Sequence, residues 1–222
     1  MPLPTFLPGC WKRNWIHRSD GPKPGDNKVS VLYLQTSSYF VDVRSTPTGQ
    51  SQGGEGTLAF AGVATASSLP SGGAVVRWHA LLEHGSGARG AESWALAAQG
   101  VPQETQDTGV FERKDDRGEG VWGEKAEDGS LEEEWVKVGS GGVCVAAIKE
   151  GGGIYVRVNS GGKWGYADAG RGIWAAGGED GVEVGIGVRG GTKLKEIVEG
   201  EDVKEWRVVE GEGGLEELWG LH

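Results

Sequence analysis

The chain has 222 residues and a formal net charge of −10, from 22 Lys and Arg against 32 Asp and Glu. The length fits one large domain with a sizeable core. The acidic balance excludes nucleic acid and anionic membrane surfaces as expected partners, because both require clustered Lys and Arg to contact phosphates.

The N-terminal stretch MPLPTFLPGCWKRNW holds three prolines. It lacks the apolar core of a signal peptide, and no later run approaches the roughly 18 apolar residues of a membrane-spanning helix. We therefore expect a cytoplasmic protein. Its two cysteines, Cys10 and Cys144, are then predicted to be free thiols.

Short extended runs alternate with turns along the first part of the chain. VSVLYLQ (29–35) and SYFVDVR (38–44) predict consecutive strands separated by Thr36 and Ser37. TLAFAGVAT (57–65) and AVVRWHALLE (74–83) predict two more, whereas ARGAESWALAAQG (88–100) is compatible with either a short helix or a strand.

The second half continues the same rhythm. Residues 107–138 hold three short runs around Phe111, Trp122 and Trp135, which is typical of a meander. Five further strands are predicted at 142–150, 153–160, 181–188, 193–199 and 203–210, separated by some of the 42 glycines. The sequence thus predicts an all-β fold, an antiparallel barrel of about 10–13 short strands with little or no helix. Closure is favoured because it removes exposed strand edges.

Domain organisation follows from the same pattern. We expect a single barrel domain over 1–222, with possible sub-lobes at 1–138 and 139–222. The pattern leaves open whether the C-terminal third completes the same barrel or forms an appended sheet.

Several motifs in this order resemble one family. They are GCWKR (9–13), YLQTSSYFVDVR (33–44), FAG (60–62), DTGVF (107–111) and EEEWVKV (132–138). Together they are similar to the calycin-like, lipocalin-related β-barrel proteins of bacteria and fungi, which include the yeast Hri-type proteins. The resemblance implies a calycin-like antiparallel barrel with a central cavity, and it carries over no reaction, cofactor or catalytic residue.

Acids and bases recur on apolar strands, which directs attention to the barrel interior. In an extended 38–44 run, Phe40, Asp42 and Arg44 share one face, and Tyr39 lies on the other. An inward ion must find a partner, since burial of an unpaired charge costs several kcal/mol. The predicted ligand-binding residues are Trp11, Tyr39, Arg44, Arg77, Trp78, Trp122, Trp135, Tyr155 and Arg157. The opposing interpretation places Asp42 and Arg44 on a solvated face and uses the tryptophans only to fill the core.

The leading functional hypothesis is a barrel that binds a small apolar or aromatic molecule in a Trp- and Tyr-lined cavity, with Arg44, Arg77 and His79 at its polar end. An alternative is a cofactor-independent isomerase, cyclase or dehydratase that uses His79 or Asp42 as acid or base. A third is an interaction module with a filled core and an acidic outer face. No CxxC, His–Cys cluster or phosphate-binding glycine motif occurs, so we expect no metal and no cofactor. The oligomeric state is not indicated.

Overall fold

The computed structural model describes residues 3–19, 29–45, 58–84, 107–114, 120–139, 144–149, 152–158, 162–212 and 219. Within these ranges the chain is almost entirely β-structure. The first eight strands are β1 (Gly9–Arg18), β2 (Ser30–Gln35), β3 (Tyr39–Ser45), β4 (Leu58–Ser68), β5 (Ala74–His84), β6 (Asp107–Arg113), β7 (Val121–Ala126) and β8 (Leu131–Gly139). The remaining strands are β9 (Cys144–Lys149), β10 (Gly153–Val158), β11 (Lys163–Asp168), β12 (Ile173–Gly178), β13 (Gly181–Ile186) and β14 (Trp206–Glu210). None of the helices in these ranges is long and apolar enough to cross a membrane.

Strands β1 to β8 close into an antiparallel barrel in chain order. Closure is made by β1 and β8, which pair from Cys10 opposite Gly139 to Arg18 opposite Leu131. The predicted all-β fold with a closed antiparallel barrel is therefore confirmed. The Thr36-Ser37-Ser38 turn between β2 and β3 forms because Thr36 Oγ1 accepts the Tyr39 backbone N–H at 2.9 Å.

The C-terminal third does not complete this barrel. Strands β9 to β14 form a separate six-stranded sheet in the order β13-β12-β11-β10-β9-β14. One face of this sheet packs on the outer surface of β2 and β3, where Leu32, Val41 and Val43 meet Ile154 and Val156. The chain therefore builds a barrel and a sheet that share one apolar layer.

Three apolar layers result from the strict alternation of side chains along the strands. The first lies inside the barrel, the second lies between barrel and sheet, and the third covers the far face of the sheet. The third layer is covered in part by the short helix α1 (Leu194–Ile197) and by Trp219.

Two sequence-based expectations need correction. The run at 193–199 was predicted as a strand, but it contains α1, because Leu194, Ile197 and Val198 are spaced to pack on one side of a helical turn. Strands β1, β11 and β12 were not among the predicted runs. The ambiguous segment 88–100 lies outside the described residues, and Cys10 and Cys144 are both free thiols.

Candidate functional site

A cavity of about 260 Å³ lies inside the barrel. It occupies the end at which β1, β3, β5 and β7 finish and β2, β4, β6 and β8 begin. Seven of the eight barrel strands contribute to its wall. The lining residues are Tyr33, Phe40, Asp42, Arg44, Phe60, Trp78, Ala80, Glu83, Asp107, Phe111, Glu124 and Trp135.

Alternation along the strands determines which side chains reach the cavity. On β3, Phe40, Asp42 and Arg44 point inward, while Val41 and Val43 point outward into the layer shared with the second sheet. On β5, a bulge changes the alternation: Gly62 pairs with Ala80 and Ala61 pairs with Leu82, so that Leu81 is an extra residue. Glu83 consequently joins Trp78 and Ala80 on the cavity wall.

Six aromatic rings form most of the apolar wall, from Tyr33, Phe40, Phe60, Trp78, Phe111 and Trp135. The Trp78 and Phe111 rings lie 5.9 Å apart between centroids, and the Tyr33 ring lies 6.0 Å from those of Phe40 and Trp135. These separations are typical of favourable tilted aromatic pairs. The rings therefore hold one another in place around the empty volume.

The charged part of the wall begins with Asp42 and Arg44. Arg44 Nε and Nη2 donate to Asp42 Oδ2 at 3.0 and 2.7 Å. The Arg44 guanidinium also lies 5.5 Å from the centroid of the Phe60 ring, within the range of a cation–π contact. Asp42 is 5% exposed, and its Oδ1 atom is buried with no hydrogen-bond partner in the described structure.

A buried relay of hydrogen bonds supports one side of the wall. Trp78 Nε1 donates to the Tyr33 hydroxyl at 3.0 Å, and the Tyr33 hydroxyl donates to Gln35 Oε1. Gln35 Nε2 in turn donates to the carbonyl oxygens of Thr36 and Tyr39 at 3.0 and 2.9 Å. Burial raises the pKa of the Tyr33 hydroxyl, so this group remains a donor.

Glu124 lies on β7, where it is buried and lines the cavity. Its Oε2 accepts the Trp135 indole N–H at 2.8 Å. Gly109 leaves room for this carboxyl, since a Cβ at position 109 would lie 2.5 Å from Glu124 Oε1. Burial raises the pKa of Glu124 well above its usual range, and the nearby Glu133 and Asp107 raise it further, whereas Arg44 and the Trp135 hydrogen bond lower it. The surroundings of Glu124 therefore favour the neutral form of its carboxyl over the charged form.

A second ion pair lies in the interior next to Glu124. Arg13 Nη1 donates to Glu133 Oε1 at 2.7 Å, and the two side chains are 0% and 2% exposed. Glu133 lies opposite Glu124 in the β7–β8 ladder. The interior thus combines aromatic rings with two ion pairs and the buried Glu124 carboxyl.

The N-terminal segment packs into the other end of the barrel. Leu3 and Leu7 are buried against the interior layer, and the Trp11 indole N–H donates to the Leu7 carbonyl oxygen at 2.9 Å. The Phe6 ring stacks on Trp122 with centroids 4.1 Å apart. Trp11 and Trp122 pack with this segment at their end of the interior and do not line the cavity.

The structure brings together four of the predicted site residues and separates the others. Asp42, Arg44, Trp78 and Trp135 line the cavity. Trp11 and Trp122 lie in the barrel interior but do not line it. The opposing interpretation of a solvated Asp42 is wrong, because Asp42 is buried.

The remaining predicted residues lie on other faces. Arg77 and His79 alternate with the inward Trp78, so they lie on the outer face of β5 and do not form the polar end that the sequence predicted. Tyr39 packs on the layer between barrel and sheet. Tyr155 and Arg157 belong to β10 of the second sheet, where Tyr155 lies in the layer on the far face.

Sequence reasoning missed the acidic members of the wall: Glu83, Asp107 and Glu124. The sequence alone could have placed two of them on the inner face. Glu124 follows Trp122 by two residues and Asp107 precedes Phe111 by four, so alternation alone places each on the face of its aromatic neighbour. Glu83 carries no such signal, since the bulge at Leu81 decides its direction.

Within the described residues, no group of three or more His, Cys, Asp or Glu side chains is arranged to hold a metal ion. The cavity carboxyls instead lie on separate parts of the wall, one each on β3, β5, β6 and β7. The arrangement can enclose a small organic molecule and offer it ring faces, one guanidinium and several carboxyl groups.

No protein-family model matches the chain, and no curated protein matches it. Among solved structures, the chain is similar to the crystal structure of the uncharacterized protein YLR301w from Saccharomyces cerevisiae. The TM-score is 0.57 at 14% sequence identity, over 93% of this chain and 100% of the yeast chain. At this identity the similarity shows a shared fold, and membership of the calycin-like family stays a prediction.

Proposed function

We propose that the protein binds a small apolar or aromatic molecule inside the barrel. One observation carries the proposal: a cavity of about 260 Å³ is lined by six aromatic rings and a few convergent polar groups. Small-molecule sites have this composition, in which apolar surface supplies affinity and placed polar groups fix the orientation. Barrels of about eight strands are wide enough to hold one such ligand.

The hydrogen bonds around the rings support a binding role. The indole N–H groups of Trp78 and Trp135 are both used internally, by Tyr33 and Glu124. The rings are therefore held in fixed positions before a ligand arrives, which reduces the entropy lost on binding. The volume also argues against the third hypothesis, in which the core is filled.

The test uses nuclear magnetic resonance of protein labelled with ¹⁵N at its tryptophan indoles, titrated with 2-phenylethanol as a neutral aromatic probe. We expect saturable shifts of the Trp78 and Trp135 indole signals. The Trp164 signal should not move, because its N–H donates to the Gly178 carbonyl in the second sheet. Mass spectrometry of material extracted from freshly purified protein would identify any ligand retained from the cell.

A matched pair of variants locates the binding. Ala80→Leu adds bulk to the cavity wall, and Val138→Leu adds bulk at an exposed position of β8. We expect Ala80→Leu to weaken probe binding at least about tenfold, and Val138→Leu to leave it unchanged. Equal binding by both variants, or no saturable shift with any aromatic probe, would contradict a ligand site in this cavity.

A second function, acid–base catalysis in the same cavity, is favoured by one observation. Glu124, whose pKa is raised by burial, and Asp42, which is paired with Arg44, line one volume, and two carboxyls in such different environments can serve as acid and base. His79 is not part of this proposal, since it lies on the outer face of β5. If a retained ligand is converted by the protein, Glu124→Gln and Asp42→Asn should each abolish turnover, and conversion at the original rate by both would exclude the mechanism.

A further inference from the structure

We propose that the ligand class of this cavity is a small organic cation, in which a protonated amine is attached to a compact apolar or aromatic body. This inference rests on the proposed function and specifies the chemistry of its ligand. Three features of the wall carry it: the balance of charges, a carboxylate oxygen that lacks a donor, and the abundance of ring faces.

The balance of charges favours a cation over an anion. Besides Glu124, whose charged form burial disfavours, the acids Asp42, Glu83 and Asp107 line the cavity, and Arg44 is the one base among the lining residues that the structure describes. Arg44 already donates twice to Asp42. An anionic ligand would have to displace a carboxylate to reach that guanidinium while approaching further acids. A cationic ligand is attracted by these acids and does not have to break the Asp42–Arg44 ion pair.

Asp42 supplies the specific anchoring atom. Its side chain projects from the inner face of β3 and is 7% exposed. Oδ2 receives both contacts from Arg44, and Oδ1 receives none. A buried carboxylate oxygen without a hydrogen-bond donor destabilises the protein, because it has lost its hydrogen bonds to water and forms none with protein groups. An ammonium group, which has three N–H donors and a full charge, would satisfy it.

The aromatic rings suit a cation as well as an apolar body. Ring faces attract cations through their quadrupole, and Arg44 already uses the Phe60 ring in this way at 5.5 Å. Trp78 and Trp135 offer indole rings, which are the strongest aromatic partners for a cation. An amine placed at Asp42 would therefore be flanked by rings rather than by bare hydrocarbon.

The cavity volume suits a compact ligand. A single ring with a short amine arm fits a volume of about 260 Å³. The ligand class is therefore proposed as a monocyclic aromatic or aliphatic amine.

The test compares three probes that share one ring and differ in charge: 2-phenylethylamine, 2-phenylethanol and phenylacetate. Affinity is measured from the Trp78 and Trp135 indole signals at neutral pH and constant ionic strength. We expect the amine to bind at least about tenfold more tightly than the alcohol, and the carboxylate to bind most weakly. The preference of the amine over the alcohol should fall about tenfold in Asp42→Asn.

Two further variants keep the test decisive if Asp42→Asn folds poorly. Asp107→Asn removes a carboxylate from an exposed position of the wall, and it should reduce the same preference. Asp180→Asn removes a carboxylate from an exposed turn of the second sheet, and it should leave the preference unchanged. The melting temperature of each variant is measured in parallel.

The outcomes separate the two proposals. Equal binding of amine and alcohol, tighter binding of phenylacetate, or a preference that survives in both cavity variants would overturn the cationic class while leaving aromatic binding intact. Failure of all three probes to shift either indole signal would overturn the binding function itself, and the cationic class with it.

Discussion

Asp42 and Arg44 lie two residues apart on β3 and form an ion pair inside the barrel, with Arg44 Nη2 2.7 Å from Asp42 Oδ2. Strand alternation places both on the inner face, and their mutual neutralisation allows each to be there. An acid and a base therefore recur on this apolar strand because each supplies the partner that burial of the other requires.

This pairing predicts coupled effects on stability. Asp42→Ala and Arg44→Ala should each lower the free energy of unfolding. The loss in the double variant should be smaller than the sum of the two single losses by about 1–3 kcal/mol. Urea denaturation of the four proteins in the cycle measures the difference. Additivity within about 0.5 kcal/mol would show that the two side chains do not interact in solution.

Breaking the Arg13–Glu133 ion pair should destabilise the fold strongly, because both side chains are almost fully buried. Arg13→Met leaves a carboxylate in the interior and is expected to cost about 3–5 kcal/mol, whereas Arg13→Met combined with Glu133→Leu should recover most of the loss. The control is Lys12→Met. Lys12 pairs with Glu183 at 2.9 Å on the surface, so its removal should cost less than about 1 kcal/mol. Similar costs for both single variants would contradict burial of the Arg13 pair.

The raised pKa of Glu124 predicts that the stability of the protein depends on pH. Its pKa is raised in the folded protein above the value in the unfolded chain. Between the two values the unfolded state releases a proton that the folded state retains, so Glu124 disfavours folding increasingly as pH rises through this window.

Glu124→Gln removes that titration and preserves an acceptor for the Trp135 indole N–H. The variant should therefore gain stability relative to the original protein as pH rises from about 4.5 toward 8. Denaturant midpoints across this range measure the change. A difference that is constant with pH, or one that shrinks as pH rises, would show that Glu124 is ionised in the folded state.

The Tyr33 hydroxyl links Trp78 to Gln35. Tyr33→Phe leaves the Trp78 N–H and the Gln35 Oε1 atom without this partner, and it should cost about 1–3 kcal/mol in thermal or chemical unfolding. Tyr39→Phe removes a hydroxyl from the outer layer between barrel and sheet. It should change stability by less than about 0.5 kcal/mol. Equal effects would mean that the interior relay contributes nothing.

Gly165 tests the contact between barrel and sheet. A Cβ at this position would lie 2.9 Å from Val41 Cβ and 3.1 Å from Val41 Cγ1, so Gly165→Ala should force the two layers apart and cost about 1–3 kcal/mol. Gly190→Ala is the control, since its nearest neighbour, the Val182 carbonyl oxygen, would be 3.9 Å away. A neutral Gly165→Ala variant would show that the sheet does not pack closely on β3.

Local patterns in the sequence were sufficient for much of the fold. Alternation in YFVDVRS and VVRWHA predicted the strands, because the side-chain period of a strand is independent of its surroundings. It did not show which face is inward, and Arg77 and His79 were wrongly expected in the cavity together with Trp78. The run KLKEIVE shows the limit of this reasoning. Leu194, Ile197 and Val198 form a helical surface that was interpreted as a strand, since short apolar runs fit both periods.

The sequence by itself determined a strand-rich acidic chain, the need for closure, and the placement of Asp42 and Arg44 on one face of their strand; that this face points into the barrel was decided by the tertiary structure. Only the tertiary structure decided which inward faces surround a common cavity. Register and bulges set that choice: the extra residue Leu81 turns Glu83 inward, and pairing of β6 with β7 brings Glu124 beside Gly109. These relations join residues that are distant in sequence, so no local pattern encodes them. For the same reason, the sequence did not show that Tyr155 and Arg157 belong to a separate sheet, although Tyr and Arg are residue types that are common in binding sites.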